Sequence, residues 1–563
     1  MSEVESKEDL LIVQSWMEKP RVLETKCGIP VKEYYTPDDV NGANYDAEIG
    51  NPGEFPYTRG IHPNMYRGKI WTRRVFCGVG TPEYTNKKLK YQLSHGQSGI
   101  IITPDIPTNH GGVDPDHPIA RGFAAIQGAP IHCIQDTDQT FADIDLGHVS
   151  VAFQWNNMSA LVTQACFIAS AQKRGYDVAK LRGSIINEPL HSYFSNISAP
   201  QEDIDLQLKI STDITEYCTR HMPLWHPQVL NGYDMSQTGI VAHQELAFTL
   251  ALARAYIGEA LKRDLDIDSF ANRIMLVFTS DMDFFEQVAK FRAARRIWAK
   301  MMRDEFSAKD KKTWRAFITT HTDGSSLTAQ QPVNNIVRIT LEVLAAALGG
   351  VQSMDPCGYD EGHCIPSFES ALTSLNIQNI VAYETGIVNT ADPLGGSYYL
   401  EHLTNEIEKK AREYLQEIED HGGIVNGIKT GWVRQEVEKA QLQREKEKRE
   451  KKRIVVGVNE LVVPKDAEVS IPITRDTWLD TRAEQDLVEI FRKFKASRDT
   501  EKVKEGLKLV RRDALEGKNL MPSTIEAVKA KATMSETLGV IRQAYGMPWD
   551  PFGMVNAPSW WEI

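Results

Sequence analysis

From residue 228 to residue 279 the chain reads Gln228-Val-Leu-Asn-Gly-Tyr233, then a helical pattern over residues 244–263, then Arg273-Ile-Met-Leu-Val-Phe-Thr279. Two short apolar runs that end in polar residues, joined by a stretch long enough to cross back, describe a parallel strand-helix-strand unit. The alternation continues on both sides. Strands are expected at Gly99-Ile-Ile-Ile-Thr-Pro-Asp105, Val149-Ser-Val-Ala-Phe-Gln154 and Gly183-Ser-Ile-Ile-Asn187, then at Arg315-Ala-Phe-Ile-Thr-Thr-His321, Gly350-Val-Gln-Ser353 and Gly386-Ile-Val-Asn-Thr390. Eight such units predict an α/β protein, a (β/α)8 barrel. A doubly wound open sheet has the same element order and stands as the alternative.

Around this core the chain divides into an N-terminal arm and partner-contacting segment (1–90), the substrate-binding barrel (91–400) and a helical C-terminal extension (401–563). The arm contains a helical stretch at 7–19 and a Gly/Pro/Tyr-rich segment at 42–65 that must wrap over something to be ordered. In the extension, residues 438–453 alternate Lys, Arg and Glu and read as a solvated helix or linker. The tail carries Trp549, Trp560 and Trp561, either a partner surface or a segment packed on its own chain.

Composition excludes several functions. With 64 Lys and Arg against 76 Asp and Glu, the formal net charge is -12, which does not gather nucleic acid. The seven cysteines contain no C-x-x-C pair, the start is acidic, and no run of about 18 apolar residues occurs, so a cytoplasmic chain that neither crosses nor binds a membrane is expected.

Barrel chemistry sits at the C-terminal strand ends, which here offer Asp105, Gln154 with Asn156, Asn187 with Glu188, Tyr233 with Asp234, Asp281, His321 with Asp323, and Gln352 with Ser353. Glu188 with Asp234 or Asp281 is the pair a glycosidase would use. His110, Asp114, Asp116 and His117 fit a loop held by Asx turns better than a metal site, and no metal is expected. G-x-S-x-G, the P-loop and a strand-borne G-x-G-x-x-G are absent.

A colinear series is more specific: residues 64–81 (Asn64-Met-Tyr-Arg-Gly-Lys-Ile-Trp-Thr-Arg-Arg-Val-Phe-Cys-Gly-Val-Gly-Thr81), Asp116-His-Pro118, Lys173-Arg-Gly-Tyr-Asp177, Phe284-Phe-Glu-Gln-Val-Ala-Lys-Phe-Arg-Ala-Ala-Arg-Arg296, Asn334-Asn-Ile-Val-Arg338, Gly349-Gly-Val-Gln-Ser353, Asp392-Pro-Leu-Gly-Gly-Ser-Tyr-Tyr399 and Asn519-Leu-Met-Pro-Ser-Thr-Ile-Glu-Ala-Val528. Over about residues 30–545 this resembles the large, substrate-binding subunit of the adenosylcobalamin-dependent acyl-CoA mutases, the methylmalonyl-CoA mutase family, nearest to the isobutyryl-CoA and 2-hydroxyisobutyryl-CoA types. The resemblance implies a barrel threaded by the pantetheine arm of coenzyme A, with cobalamin capping the C-terminal face and radical chemistry on the acyl chain. It places Met65, Lys69, Thr72, Arg74, Arg273, Gln352 and Ser353 at CoA, and Gln237, Gly324 and Glu361 at adenosylcobalamin. The family's cobalamin-binding D-x-H-x-x-G motif is absent from this sequence, so the resemblance implies a separate cobalamin-binding small subunit, in a heterotetramer, with the arm and tail as candidate contacts.

Departures from the family carry the substrate expectation. Phe76 stands where the methylmalonyl type has Tyr, Asn196 where that type has an Arg for the free carboxylate, and Thr103 where the 2-hydroxyisobutyryl type has Asp. His191 or His226 remain as cations. G-Y-H becomes Gly232-Tyr-Asp234, H-x-Q becomes Thr319-Thr-His321, and Ile186 replaces Gln. An ionised Asp234 cannot donate to a thioester carbonyl, so it is either protonated or an acceptor for a hydroxyl or amine. Phe76, Tyr233 and Asp234 are the candidate catalytic residues, with Thr103, Asn196 and His321 at the acyl group. The expectation is a radical mutase acting on a short or branched acyl-CoA without a free carboxylate, such as isobutyryl-CoA to butyryl-CoA or a hydroxylated analogue. The alternatives are a methylmalonyl-type mutase with a rearranged pocket and a decayed barrel that scaffolds the cobalamin subunit.

Overall fold

The structure, a computed structural model, describes residues 24–561 apart from 33, 41–44, 156–157, 196–201, 465–478 and 480. The helix expected at 7–19, Asn156 and Asn196 lie outside the described residues.

Nine short strands are β1 (Thr72–Arg73), β2 (Gly99–Ile102), β3 (Ser150–Phe153), β4 (Gly183–Ile185), β5 (Trp225–His226), β6 (Gln228–Asn231), β7 (Ile274–Ser280), β8 (Phe317–Thr322) and β9 (Ser353–Asp355). All pair in parallel, in the orders β1-β9-β8-β7-β6 and β2-β3-β4-β5. Pro227, which has no N–H to give a ladder, splits β5 from β6, and the two make one bent barrel position. Two seams join the sheets. Beyond β1, Cys77 donates to the Ile101 carbonyl (3.2 Å) and accepts from Thr103 (3.0 Å), while Val229 of β6 donates to Ile186 at the end of β4 (3.0 Å). The result is an eight-position barrel.

A helix follows each position: α1 (Pro82–Ser94), α2 (Ile134–Thr140), α3 (Ser159–Lys173), α4 (Ile204–His221), α5 (Ala242–Leu261), α6 (Phe284–Lys300), α7 (Val333–Leu348) and α8 (Phe368–Tyr383). Two sequence expectations are corrected. The first strand lies at Thr72–Arg73, inside the expected arm, and the eighth expected strand is instead a 3-10 turn, Ile387–Asn389. The strand was missed because Thr72 and Arg74 are polar on the inward side, and the turn was mistaken for a strand because Ile387-Val388 is a short apolar run.

The barrel is dressed at one end and along one side. At the strand N-termini, Tyr57 and Ile61 pack against Ala299 and Phe317, and Arg295 of α6 donates to the carbonyls of Tyr57, Thr58 and Gly349. Beyond the barrel, helices Thr500–Leu515, Met521–Lys529 and Met534–Ala544 share a core with Phe153, Phe167 and Trp225. The tail folds back onto them: Trp549 and Trp561 are buried, and Trp561 Nε1 donates to Gln543. Those rings are core, not a free partner surface.

A backbone crossing fixes the β1/β2 seam. Gly128 has φ +86°, its N–H donates to the Gly78 carbonyl, and a Cβ there would stand 1.9 Å from the Pro104 carbonyl oxygen. Backbone cannot step aside, so Gly128→Ala is expected to cost about 2 kcal/mol or more, read as a lowered midpoint in urea unfolding. An unchanged midpoint would contradict the crossing.

Candidate active site at the barrel axis

Side chains alternate along a strand, and the packing shows which set faces outward. Ile100, Ile102, Val151, Phe153, Ile185, Leu230, Leu276, Phe278, Ile318 and Met354 lie in the cores shared with the helices and are at most 1% exposed. The other set faces the axis: Thr72, Arg74 and Phe76; Gly99, Ile101 and Thr103; Ser150, Ala152 and Gln154; Ser184 and Ile186; Val229 and Asn231; Met275, Val277 and Thr279; Phe317, Thr319 and His321; Ser353 and Asp355. Of these, Thr72, Phe76, Thr103, Ser150, Gln154, Val277, Phe317 and Thr319 are only half-buried. Barrels of this class normally fill their interior with branched aliphatic layers. Here the inside of the barrel is more accessible than its outside, and one wall is lined with Thr72, Gly99, Ser150, Ser184, Thr319 and Ser353. The facing wall is apolar, where Ile186, Val229 and Met275 pack together.

The CoA-assigned residues divide by geometry. Met65 opens a short helix just before β1, and Lys69 is exposed beside it. Thr72 donates its backbone N–H to Gln352, next to Ser353 on β9, so these five gather at the strand N-termini. Arg74 points into the axis, where its guanidinium donates to Ser353 Oγ (3.2 Å), Ser150 Oγ (2.9 Å) and the Ile100 carbonyl. Arg273 corrects the expectation. It donates to the carbonyls of Cys218, Met222, Trp225 and Ser269, capping chain ends outside the barrel instead of offering a cation to phosphates.

At the C-terminal mouth, the Tyr233 and His321 rings stack with centroids 4.4 Å apart, and Phe76 lies 4.5 Å from the same imidazole. Burial holds His321 neutral, with its pKa lowered to about 4. Burial likewise lowers His226 to about 4, so it supplies no cation. His191 behaves oppositely. Burial alone would depress it, but Glu188 (2.6 Å from Nδ1) and Asp234 (3.2 Å from Nε2) override burial and raise it to about 10. The imidazolium donates from both nitrogens, so Asp234 is an acceptor there and donates nothing to a carbonyl. Its side chain is 41% exposed at the rim, whereas Glu188 is fully enclosed and also takes the Tyr256 hydroxyl (3.0 Å). A carboxylate locked this way is not half of a glycosidase pair. His191 surfaced in the sequence only as a spare cation; Glu188 three residues before it was the available signal for the pair.

The cofactor-assigned residues meet at this mouth. Gln237 accepts from Ser325 N–H (3.1 Å), and Glu361 accepts from Gly358 N–H (3.0 Å). Gly324 lies against Tyr233: an added Cβ would stand 3.0 Å from its hydroxyl and 3.8 Å from Cys357 Sγ. Beside them a cavity of about 1310 Å³ opens between the β6, β7 and β8 loops and the helix Trp432–Arg449, whose residues Glu436, Gln443 and Arg444 line it. That cavity is lined by Ser236, Asp323 and Ser325; Gln237, Gly324 and Glu361, the residues that would hold a corrinoid by the family resemblance, stand outside its lining. The His110 to His117 loop has another role: Asp114 takes Thr533 and Ser535, Asp116 takes Lys495, and His117 faces Asp550 (3.2 Å), docking the C-terminal helices. Among the described residues no helix is long and apolar enough to cross a membrane.

The site is thus an eight-position barrel with an accessible, hydroxyl-bearing axis, basic and polar groups at one end and an aromatic, carboxyl-rich mouth at the other. The chain belongs to the methylmalonyl-CoA mutase family, whose sequence model, described as methylmalonyl-CoA mutase, matches residues 24–547. Members of that family are adenosylcobalamin-dependent isomerases. The chain is 38% identical over 530 residues to the 2-hydroxyisobutanoyl-CoA mutase large subunit of Aquincola tertiaricarbonis, covering 94% of this chain and 93% of that protein. It is 35% identical to the methylmalonyl-CoA mutase of Rhizobium meliloti (93% of this chain, 72% of that one). To the mitochondrial methylmalonyl-CoA mutase of Homo sapiens it is 33% identical (93% and 69%).

Proposed function

We propose that this chain is the substrate-binding large subunit of a mutase that rearranges a short or branched acyl-CoA without a free carboxylate, isobutyryl-CoA to butyryl-CoA or a hydroxylated analogue. The observation that carries the reading is the inverted burial of the barrel, with an accessible hydroxylic axis inside a fully packed exterior. An extended pantetheine arm suits such a lining, since its amides find hydroxyl partners at the half-buried Thr72, Ser150 and Thr319. At the mouth Phe76 offers an apolar face to the acyl group, while Ile186, Val229 and Met275 line the axis below it.

Absence of a free carboxylate follows from charge. Among the described axis-facing residues the permanent cation is Arg74, and each of its three nitrogens already donates within the barrel wall, to Ser353, Ile100 and Ser150. His191 is enclosed by Glu188 and Asp234, and Asn196 is neutral by composition. A substrate carboxylate buried without a partner costs several kcal/mol.

Adenosylcobalamin, when bound, supplies the radical that begins the rearrangement. This chain's residues orient the thioester and keep water from the mouth through the Phe76, His321 and Tyr233 stack. The large-subunit name of the Aquincola relative, 93% of whose length this chain covers, supports a separate cobalamin-binding small subunit, with a heterotetramer as the assembly. Mass-spectrometric assay of this chain with a cognate small subunit and adenosylcobalamin should show isomerisation of an uncharged branched acyl-CoA and turnover of methylmalonyl-CoA lower by about 100-fold or more. Efficient methylmalonyl-CoA turnover would sink the substrate reading.

A further inference from the structure

The cavity of about 1310 Å³ beside the barrel mouth exceeds the roughly 300–1,000 Å³ of an ordinary small-molecule pocket, and its walls suit a length of polypeptide. Four apolar side chains on its walls are left in water: Met282, Val337, Ile454 and Val456, each 39–61% exposed. The floor is polar but already engaged within the fold. Asp281 takes the Lys26 ammonium (2.7 Å) and Glu245 takes Lys290 (2.6 Å), while Asp283 accepts from the Lys26 N–H (3.1 Å) and Asp323 from Ser325 (3.0 Å).

The roof differs. It is formed by the C-terminal half of the helix Trp432–Arg449 and the segment after it, and residues 444–453 hold seven Lys and Arg against three Glu. Arg444, Lys448, Lys452 and Arg453 line the cavity. The buried residues of that helix, Val433 and Val437, both lie in its first two turns. Its basic half meets the barrel through polar contacts: Arg444 reaches the Gln237 carbonyl (3.4 Å), and just beyond the helix the Val456 carbonyl accepts from Arg338 (2.9 Å).

The complement of such a space is an acidic stretch joined to an apolar one, and this chain contains it. Residues 2–9 hold four acids and one Lys, and Leu10-Leu-Ile-Val-Gln-Ser-Trp-Met17 follows. The described residues begin at Glu24, which lines this same cavity together with Thr25, Lys26 and Cys27. The seven residue steps from Met17 to Glu24 span up to about 24 Å, enough to bring the apolar run back over the opening. Apolar side chains placed there take their own surface and that of the four exposed wall residues out of water, and the acids that precede them meet the basic roof.

We propose that this cavity is the seat of the chain's own N-terminal segment, with Leu10–Met17 against the apolar walls and the acids of residues 3–9 against the roof. The inference stands independently of the acyl-CoA reading. Seated, the segment pins the roof helix and, through Arg444, the Gln237 side of the mouth.

Photo-cross-linking of the full chain tests it. A benzophenone amino acid in place of Val13 should join, on irradiation, to residues 281–283, 334–338 or 452–456 of the same chain, as mapped by peptide mass spectrometry. Reversing two roof charges, Lys448→Glu with Lys452→Glu, should lower the yield about three- to fivefold, the worth of two exposed ion pairs, and added salt should lower it in the native chain. Cross-links that fall elsewhere on the chain, that join two copies, or that form only to an added cobalamin-binding subunit overturn the proposal. No cross-link at all, or a yield unchanged by charge reversal, overturns it as well.

Discussion

Thr319→Leu is expected to abolish acyl-CoA binding, by about 100-fold or more, while the melting temperature stays level or rises. Thr319 sits midway along β8, paired with Val277 and Ser353, with its hydroxyl near the Ser353 carbonyl (3.3 Å). It is only half-buried despite lying inside a barrel. In a packed core, extra carbons cost 1–3 kcal/mol because neighbours must move. In an accessible axis the same carbons fill space and bury apolar surface without strain, yet they close the path an extended arm must take. Calorimetry for binding and differential scanning for stability separate the two effects. Native affinity in the leucine variant would remove the axial route, and a collapse in melting temperature would show that the axis is packed.

The second large effect concerns His191. Removing it by His191→Leu leaves Glu188 enclosed with the Tyr256 hydroxyl and no cation, a change expected to destabilise the chain by about 3–5 kcal/mol in urea unfolding. The native triad also sets a pH dependence. Because the folded pKa is raised from the ordinary 6.5 to about 10, the folded state holds this proton more tightly than the unfolded chain. Its contribution is therefore complete below about pH 6.5 and is lost as pH rises towards 10, at a slope approaching about 1.4 kcal/mol per pH unit. Stability of the native chain relative to His191→Leu should fall over that window. A difference that stays constant from pH 6 to pH 10 would mean that His191 is neutral in the fold.

Much of the fold was legible because strand outer faces and helix inner faces bury apolar residues at fixed periods, and such periods are local. Ile100 with Ile102, Val151 with Phe153, and Leu276 with Phe278 announce β2, β3 and β7 on that ground alone. β1 was not legible for the same reason in reverse: its axis-facing residues are Thr72 and Arg74, polar in order to line the axis, so the run carries little apolar signal. The turn at Ile387–Asn389 shows the converse error, two apolar residues with no strand partner to pair with. The site divided in the same way. His321 was found as a strand end and Phe76 and Thr103 through the family resemblance, while Arg273 was placed at CoA by the same resemblance because a guanidinium's partners cannot be read from its neighbours.

By itself the sequence determined the alternation of strands and helices over seven of the eight units, the family and the neutral residue at 196, since each is a property of residues along the chain. Tertiary structure alone decided that the interior of the barrel is accessible while its exterior is packed, that His191 is a cation clasped by Glu188 and Asp234, and that Asp355 and His321 lie side by side on adjacent strands, 3.8 Å apart. The physical reason is that charge state and hydrogen-bond partnership depend on what surrounds a group in space. The elements that supply those surroundings, β8 and β9 or the loops after β4 and β6, are separated by tens of residues of helix.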